Sequence, residues 1–154
     1  MSFDSRRGTR GNRQPNGRFM RWMNSVMAGR LRRKGGGQMM GFNALILTTV
    51  GRRSGVERTN PVGWFPGQDD TWLIVASANG ATDNPAWYYN LAAHPDKVRI
   101  EVAGRTIDVT AEQLHGEERA QAWQAIAASA PRFAQYQVKT DRELPVIKLA
   151  ARST

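Results

Sequence analysis

The stretch ALILTTVGRRSGVERTNP, residues 44–61, holds two extended segments joined by a glycine-bracketed turn. Residues 44–50 are apolar and β-branched, and the run stops at Gly51. The chain turns through Gly51-Arg52-Arg53-Ser54-Gly55 and resumes an extended course through Arg58-Thr59-Asn60-Pro61. The glycines permit close backbone approach, and between them lie two forked cations and a hydroxyl. That set of donors suits a phosphate or a carboxylate. A plain hairpin loop with solvated arginines fits the same five residues equally well.

Outward from this pair, the chain reads as a strand-rich meander. Further strands are expected at residues 59–65, 72–78, 97–102, 105–110 and 144–150, with Pro61 marking an edge or a bulge. Residues 66–70 form a turn, and Ala103-Gly104 a two-residue hairpin. Asp83, Asn84 and Pro85 read as a helix start, a polar cap followed by proline in the first turn. That helix spans 85–93 and closes at His94-Pro95; further helices are expected at 112–130 and 131–139. Six strands in short hairpins with few helices predict an α+β, mainly β fold, a small closed or split barrel, with no internal repeat and no second domain.

Toward the N-terminus the composition changes. Residues 1–17 are polar, rich in glycine and arginine, and are expected to form a flexible basic arm. Residues 18–154 are expected to form one domain that includes an amphipathic helix at 17–34. In that helix Phe19, Met20, Trp22, Met23, Val26, Met27 and Leu31 follow helical spacing, arginines flank them, and Gly35-Gly36-Gly37 ends the run. The stripe is expected to pack on the body; a lid over a ligand and a basic anchor on anionic lipid are the alternatives. The formal charge of +9 lies wholly in residues 1–40, which carry ten Lys and Arg against Asp4, whereas the remainder carries twelve of each sign. The body is neutral and the leading arm is basic.

Composition narrows the chemistry further. The 154 residues suffice for one core, and no run approaches the length of a membrane span. There is no cysteine, so neither disulfides nor thiolate chemistry arise, and the cytoplasm is the expected compartment. His94 and His115 are the only histidines, so no metal site is expected. Neither a Gly-x-Ser-x-Gly elbow nor a phosphate-binding loop with its lysine is present. An enzyme built from this chain would take its reactivity from a bound organic cofactor. Trp87-Tyr88-Tyr89 occupy one helical turn, and three adjacent rings cannot all face one core, so at least one should meet a ring-shaped ligand or a partner.

The blocks Leu47-Thr48-Thr49-Val50-Gly51-Arg52-Arg53-Ser54-Gly55, Arg58-Thr59-Asn60-Pro61, Val75-Ala76-Ser77, Asn84-Pro85-Ala86-Trp87-Tyr88-Tyr89-Asn90-Leu91 and His94-Pro95, in this order, resemble the deazaflavin-dependent nitroreductase family of actinobacteria. The resemblance runs from about Phe19 to Leu149. It implies a split β-barrel related to flavin-mononucleotide-binding proteins. It also implies coenzyme F420, whose reduced form transfers hydride to nitro-aromatics, quinones and activated alkenes. Arg52, Arg53, Ser54 and Arg58 would then face the cofactor's phosphodiester and oligoglutamate tail. Val75, Ala76, Ser77 and Ala78, with Ala86, Trp87, Tyr88, Tyr89 and Asn90, would line the deazaflavin ring and its ribityl chain. The substrate side is expected on Trp22, Trp64, Phe133 and Tyr136, with Tyr136 as the catalytic donor. Two departures stand out: Ala78 occupies a position where some relatives carry lysine, and Phe133 precedes Tyr136 where relatives place a tyrosine over the substrate. Enones and quinones are therefore the expected substrates ahead of nitro compounds. The rivals are an FMN-dependent oxidoreductase on the same barrel, and a non-enzymatic module that binds polyanions or a membrane surface through the basic arm. No specific nucleic acid is expected, and membrane contact is confined to that arm.

Overall fold

Strand β2 (Phe42–Val50) anchors the sheet. It pairs antiparallel with β1 (Gly37–Met39), with β3 (Glu57–Gly63) and with β6 (Val98–Val102). The computed structural model describes residues 3–11, 26, 37–39 and 42–152. From β6 the sheet continues through β7 (Arg105–Gln113), β8 (Val146–Ala151), β5 (Trp72–Val75) and β4 (Phe65–Pro66), giving eight strands among the described residues. Every pairing is antiparallel, and the curled sheet is a split barrel. The hairpin from β6 to β7 turns at Ala103 and Gly104, whose φ values of 51° and 76° are both positive, as a two-residue turn matching the strand twist requires.

Strand alternation builds two cores. On β5, Ile74 faces the barrel interior with Leu45, Leu47, Ile100, Val109, Ile147 and Leu149, while Leu73 and Val75 face the other way. Helix α1 (Ala86–Ala93) closes the interior with Trp87, Tyr88 and Leu91. Helices α2 (Gly116–Ser129) and α3 (Pro131–Lys139) cover the outer face, and their Ile126 and Phe133 pack on Leu73, Val75, Leu144 and Val146. Each fully buried leucine or isoleucine contributes about 1.5–3 kcal/mol, so the two layers are bound through the strands they share.

Several boundaries differ from the sequence expectation for local reasons. The strand expected at 59–65 begins at Glu57, because Glu57 pairs with Val50, and it breaks before the short β4. Pro61 sits opposite Ile46 on β3, whose pairing among the described residues is with β2 alone, so the missing N–H faces away from the ladder. The strand expected at 72–78 stops at Val75, since the Ala76 N–H turns to the Pro145 carbonyl and the chain enters a 3₁₀ turn at Ala78–Gly80. The helix expected from 112 starts at Gly116, because Glu112 and Gln113 remain in the ladder opposite Lys148 and Ile147. The helix expected at 17–34, with Trp22, lies outside the described residues apart from Val26, which is helical.

The arm is attached where flexibility was expected. Over residues 3–11, Phe3 meets the Tyr88 ring edge-on at 5.6 Å, the Gly8 N–H donates to the Thr82 carbonyl at 2.8 Å, and the Thr140 hydroxyl donates to the Arg10 carbonyl at 2.6 Å. Asp141 accepts the Thr9 and Arg10 N–H groups at 2.7 and 3.2 Å as well as the Thr9 hydroxyl, and these bonds hold its carboxyl at a pKa of about 2. No helix among the described residues is long and apolar enough to cross a membrane.

Candidate cofactor site

The β2–β3 loop is closed from within and pinned from behind. The Gly51 N–H donates to the Val56 carbonyl at 2.8 Å and the Ser54 Oγ accepts the Val56 N–H at 3.1 Å. A methyl group at Gly51 would sit 2.5 Å from the Ser54 Oγ, and Gly55 has a φ of 71°, so both bracketing glycines are required by the turn. From α1, the Asn90 side chain accepts the Arg52 N–H at 3.0 Å and donates to the Thr49 hydroxyl at 3.1 Å. The loop thus rides on helix α1, and Arg52, Arg53 and Ser54 stand exposed at its tip, with Arg58 half-buried on β3 opposite Thr49.

Charge at this loop is not neutralised internally. Among the described residues, no carboxylate pairs with Arg52, Arg53 or Arg58. Glu57, the nearest acid in sequence, is held by Arg99 through bonds of 2.7 and 2.9 Å, and that guanidinium lowers its pKa. Three cations and a backbone turn without an acidic partner fit a ligand bearing phosphate and carboxylate groups. They do so on the chemistry of the donors alone.

The three rings of α1 divide as their crowding requires. Tyr88 is 2% exposed and donates its hydroxyl to Gln113, and burial raises its pKa. Trp87 joins the same core. Tyr89 lies at the rim, where the Arg52 guanidinium stands over its ring at 4.6 Å and its hydroxyl donates to Asp83; burial, followed by that bond, raises its pKa. Tyr89 is therefore the ring that leaves the core, and it meets the arginine loop.

The second part of the site is the turn after β5. Ala76 is fully enclosed, whereas Ser77 and Ala78 are half-buried, and Ala78 has a φ of 46°, a left-handed value that alanine adopts at a cost. Beneath this turn lies Arg142, 2% exposed. Its guanidinium donates to the carbonyls of Ala76 (2.9 Å), Ser77 (2.8 Å) and Ala81 (3.2 Å) and to the Asn84 side-chain oxygen (2.6 Å). Burial draws its pKa below the usual arginine value. Asn84, expected as a helix cap, instead serves this guanidinium, and Pro85 occupies the cap position of α1 without a side-chain bond. Arg142 was not among the residues expected to matter, since an arginine in the charged run Thr140-Asp141-Arg142-Glu143 reads as solvated.

The expected residues fall into three groups. Arg52, Arg53, Ser54, Arg58, Tyr89 and Asn90 come together at the loop, and Ser77 and Ala78 lie in the turn that Arg142 and Asn84 hold ahead of α1. Val75, Ala76, Trp87 and Tyr88 have core side chains, while Ala86 is exposed at the start of α1. On the expected substrate side, Phe133 is 8% exposed and packs edge-on against Phe65 and Tyr136 at 5.7 and 5.9 Å, so it belongs to the outer core. Trp64 packs partly buried against the inner core. Tyr136 is half-buried, its backbone pressed on the turn so closely that a methyl on Gly80 would lie 2.7 Å from the Tyr136 carbonyl. Its hydroxyl has no hydrogen-bond partner among the described residues. No cluster of metal-ligating side chains occurs among the described residues.

Comparison with known proteins places the chain in a family. The model of the F420H(2)-dependent quinone reductase family matches residues 20–150. The F420H(2)-dependent quinone reductase Rv1261c of Mycobacterium tuberculosis is 38% identical over 112 residues, covering 71% of this chain and 74% of that protein. A solved structure described as an F420-H2 dependent reductase, FDR-A, superposes with a TM-score of 0.62 at 34% identity, over 70% of this chain and 93% of its own. Another, described as a domain-swapped dimer, gives 0.65 at 30% identity over 84% and 97%. With a family model spanning most of its length and a relative of this identity, the chain belongs to the F420H(2)-dependent quinone reductase family, a family of oxidoreductases on the split-barrel fold.

Proposed function

We propose that this chain binds coenzyme F420 and uses its reduced form to reduce quinones. The observation that carries the reading is the loop at residues 51–55, whose arginines have no acidic partner among the described residues and whose backbone Asn90 pins at Arg52. Arg52, Arg53, Ser54 and Arg58 hold the acidic tail through charge-assisted hydrogen bonds. Ser77 and Ala78, with the α1 face bearing Ala86, Tyr89 and Asn90, receive the ring system and ribityl chain; Val75, Ala76, Trp87 and Tyr88 support them from the core. When bound, the reduced deazaflavin supplies a hydride, and with one further proton a quinone becomes a hydroquinone. Tyr136, beside the turn and with its hydroxyl unbonded to described residues, donates a hydrogen bond or that proton to the substrate oxygen. Trp22 and Trp64 complete the substrate side. Orientation and a preorganised donor contribute up to ~7–11 and ~3–4 kcal/mol in favourable cases.

Enones are a second acceptor class, since they present a comparable electrophilic carbon next to a developing oxyanion, and nitro compounds rank below them. The family's cofactor favours F420 over FMN. The polyanion-binding reading draws no support from the arm, where the Arg10 guanidinium is engaged with the Val138 carbonyl at 2.8 Å.

The test is titration of the full chain with oxidised F420 and with FMN, followed by reduced F420 with a panel of quinones, enones and nitro-aromatics. Binding of F420 in preference to FMN, and quinone-dependent return of the oxidised deazaflavin's absorbance, are expected. A chain that binds no F420 under conditions where it is folded would overturn the reading.

A further inference from the structure

Arg142 is the charged side chain that the proposed reaction leaves without a role, and it is also among the largest fully buried side chains in the protein. Its guanidinium is spent on one short segment. Three of its bonds go to carbonyls of residues 76, 77 and 81, and the fourth goes to Asn84, which leads into α1. A planar fork reaching carbonyls on both sides of a turn fixes the turn's width as well as its position. The segment needs such a constraint, because Ala78 within it is held at a φ of 46° and Gly80 at 77°.

Other elements close around the same segment. On one side, a methyl on Gly80 would lie 2.7 Å from the Tyr136 carbonyl of α3. On the other, a methyl on Gly11 of the arm would lie 2.5 Å from the Gly80 carbonyl. The Asn84 amide donates onward to the Ser5 carbonyl at 3.2 Å and to the Tyr89 hydroxyl at 3.3 Å, so one residue joins the guanidinium, the arm and the ring that meets Arg52. The Arg142 N–H is itself bonded to the Thr140 hydroxyl, at 3.1 Å, which holds the Arg10 carbonyl.

We propose that Arg142 is a positioning residue for cofactor binding: its buried fork, acting with Asn84, sets the strained turn at residues 76–81 in the shape that presents Ser77 and Ala78 to the ring system. The assignment rests on the reading that F420 occupies this face. Arg142 touches no cofactor atom in this scheme and acts through the backbone it holds. A charge alone at this position does not suffice; the bidentate, planar reach to opposite sides of the turn is what matters.

Arg142→Lys separates the two, since lysine keeps the charge and loses the fork. The full-length variant and the parent are compared in three measurements: F420 affinity by fluorescence titration, quinone KM at saturating reduced F420, and deuterium uptake across residues 76–82 and across the β6–β7 hairpin. Expected are an F420 dissociation constant raised at least tenfold, a quinone KM within twofold of the parent, and uptake at least tenfold faster in residues 76–82 with the hairpin unchanged. Parent-like affinity and uptake overturn the proposal, and so does acceleration spread equally over the hairpin, which marks a merely structural arginine. Should the lysine variant fail to fold, Asn84→Ala removes one acceptor and leaves three, and a threefold or greater weakening of F420 binding with local loosening of residues 76–82 is expected; no change overturns the proposal. Absence of F420 binding by the parent chain itself strikes the cofactor reading, while normal binding by the parent and by Arg142→Lys alike strikes only the role of Arg142.

Discussion

Two turns are tied to helix α1, one through Asn90 and the other through Asn84 at its start, and they are built on opposite plans. The loop at residues 51–55 is exposed and cationic, fastened to the body at one point by Asn90, and its charges lack acidic partners among the described residues. The turn at residues 76–81 is neutral, packed between the arm and α3, and its cation lies underneath with its bonds directed to the protein's own carbonyls. One arginine set has no acidic partner among the described residues, and the other arginine is consumed in shaping backbone. The same residue type performs both tasks because the guanidinium serves equally as a ligand fork and as an internal staple.

The sharpest way to break this contrast is to remove the staple outright. Arg142→Met leaves four buried acceptors without their donor and should destabilise the fold by about 3 kcal/mol or more, read from urea unfolding. Arg52→Ala with Arg53→Ala should do the reverse. Unfolding free energy should stay within about 0.5 kcal/mol, as for most surface changes, while F420 binding weakens by about 1.5–3 kcal/mol from lost bonds to charged groups. If the double variant binds F420 normally, the loop has no ligand role. Tyr136→Phe should lower turnover by about tenfold or more at unchanged F420 affinity, within the range of lost acid–base assistance; an unaltered rate removes that phenol from the chemistry.

The smallest effect concerns the arm. Asp141 has its pKa lowered from 3.8 to about 2 by the bonds from Thr9 and Arg10, so its contribution to arm docking is complete above about pH 4 and is lost as pH falls toward 2. Acid should therefore loosen residues 3–11 before the barrel, which hydrogen exchange at the Thr9 and Arg10 amides would show. Replacing Asp141 by Asn should abolish that pH step.

The contrast also explains what could be read in advance. The alternating strands, the Ala103-Gly104 hairpin and the glycine-bracketed loop are written locally, because each depends on side-chain period or on a positive φ within a few residues. The cationic loop was readable for the same reason: its donors are consecutive. The staple was not, since Arg142 finds its acceptors some sixty residues earlier in the chain, and carbonyls leave no trace in a sequence. The arm's composition does not spell out its contacts over residues 3–11. Its single phenylalanine, Phe3, and the glycines that allow close approach at Gly8 and Gly11 were the available hints, and polar content outweighed them. Strand ends at Val75 and Gln113 depend on partners in β8 and the segment before it, which local propensity does not register.

The docking of residues 3–11 has a practical side. Ser5 is bonded through its backbone N–H to the Tyr88 hydroxyl at 3.0 Å, and through its own hydroxyl to Gln113 at 2.7 Å, so residues 3–5 behave as a structural insert wedged beside α1. Bulky affinity handles or reporter fusions spliced immediately ahead of Phe3 would compete with that seat. Handles belong after Arg152, whose N–H still donates to the Asp108 carbonyl at 2.9 Å beyond the end of β8.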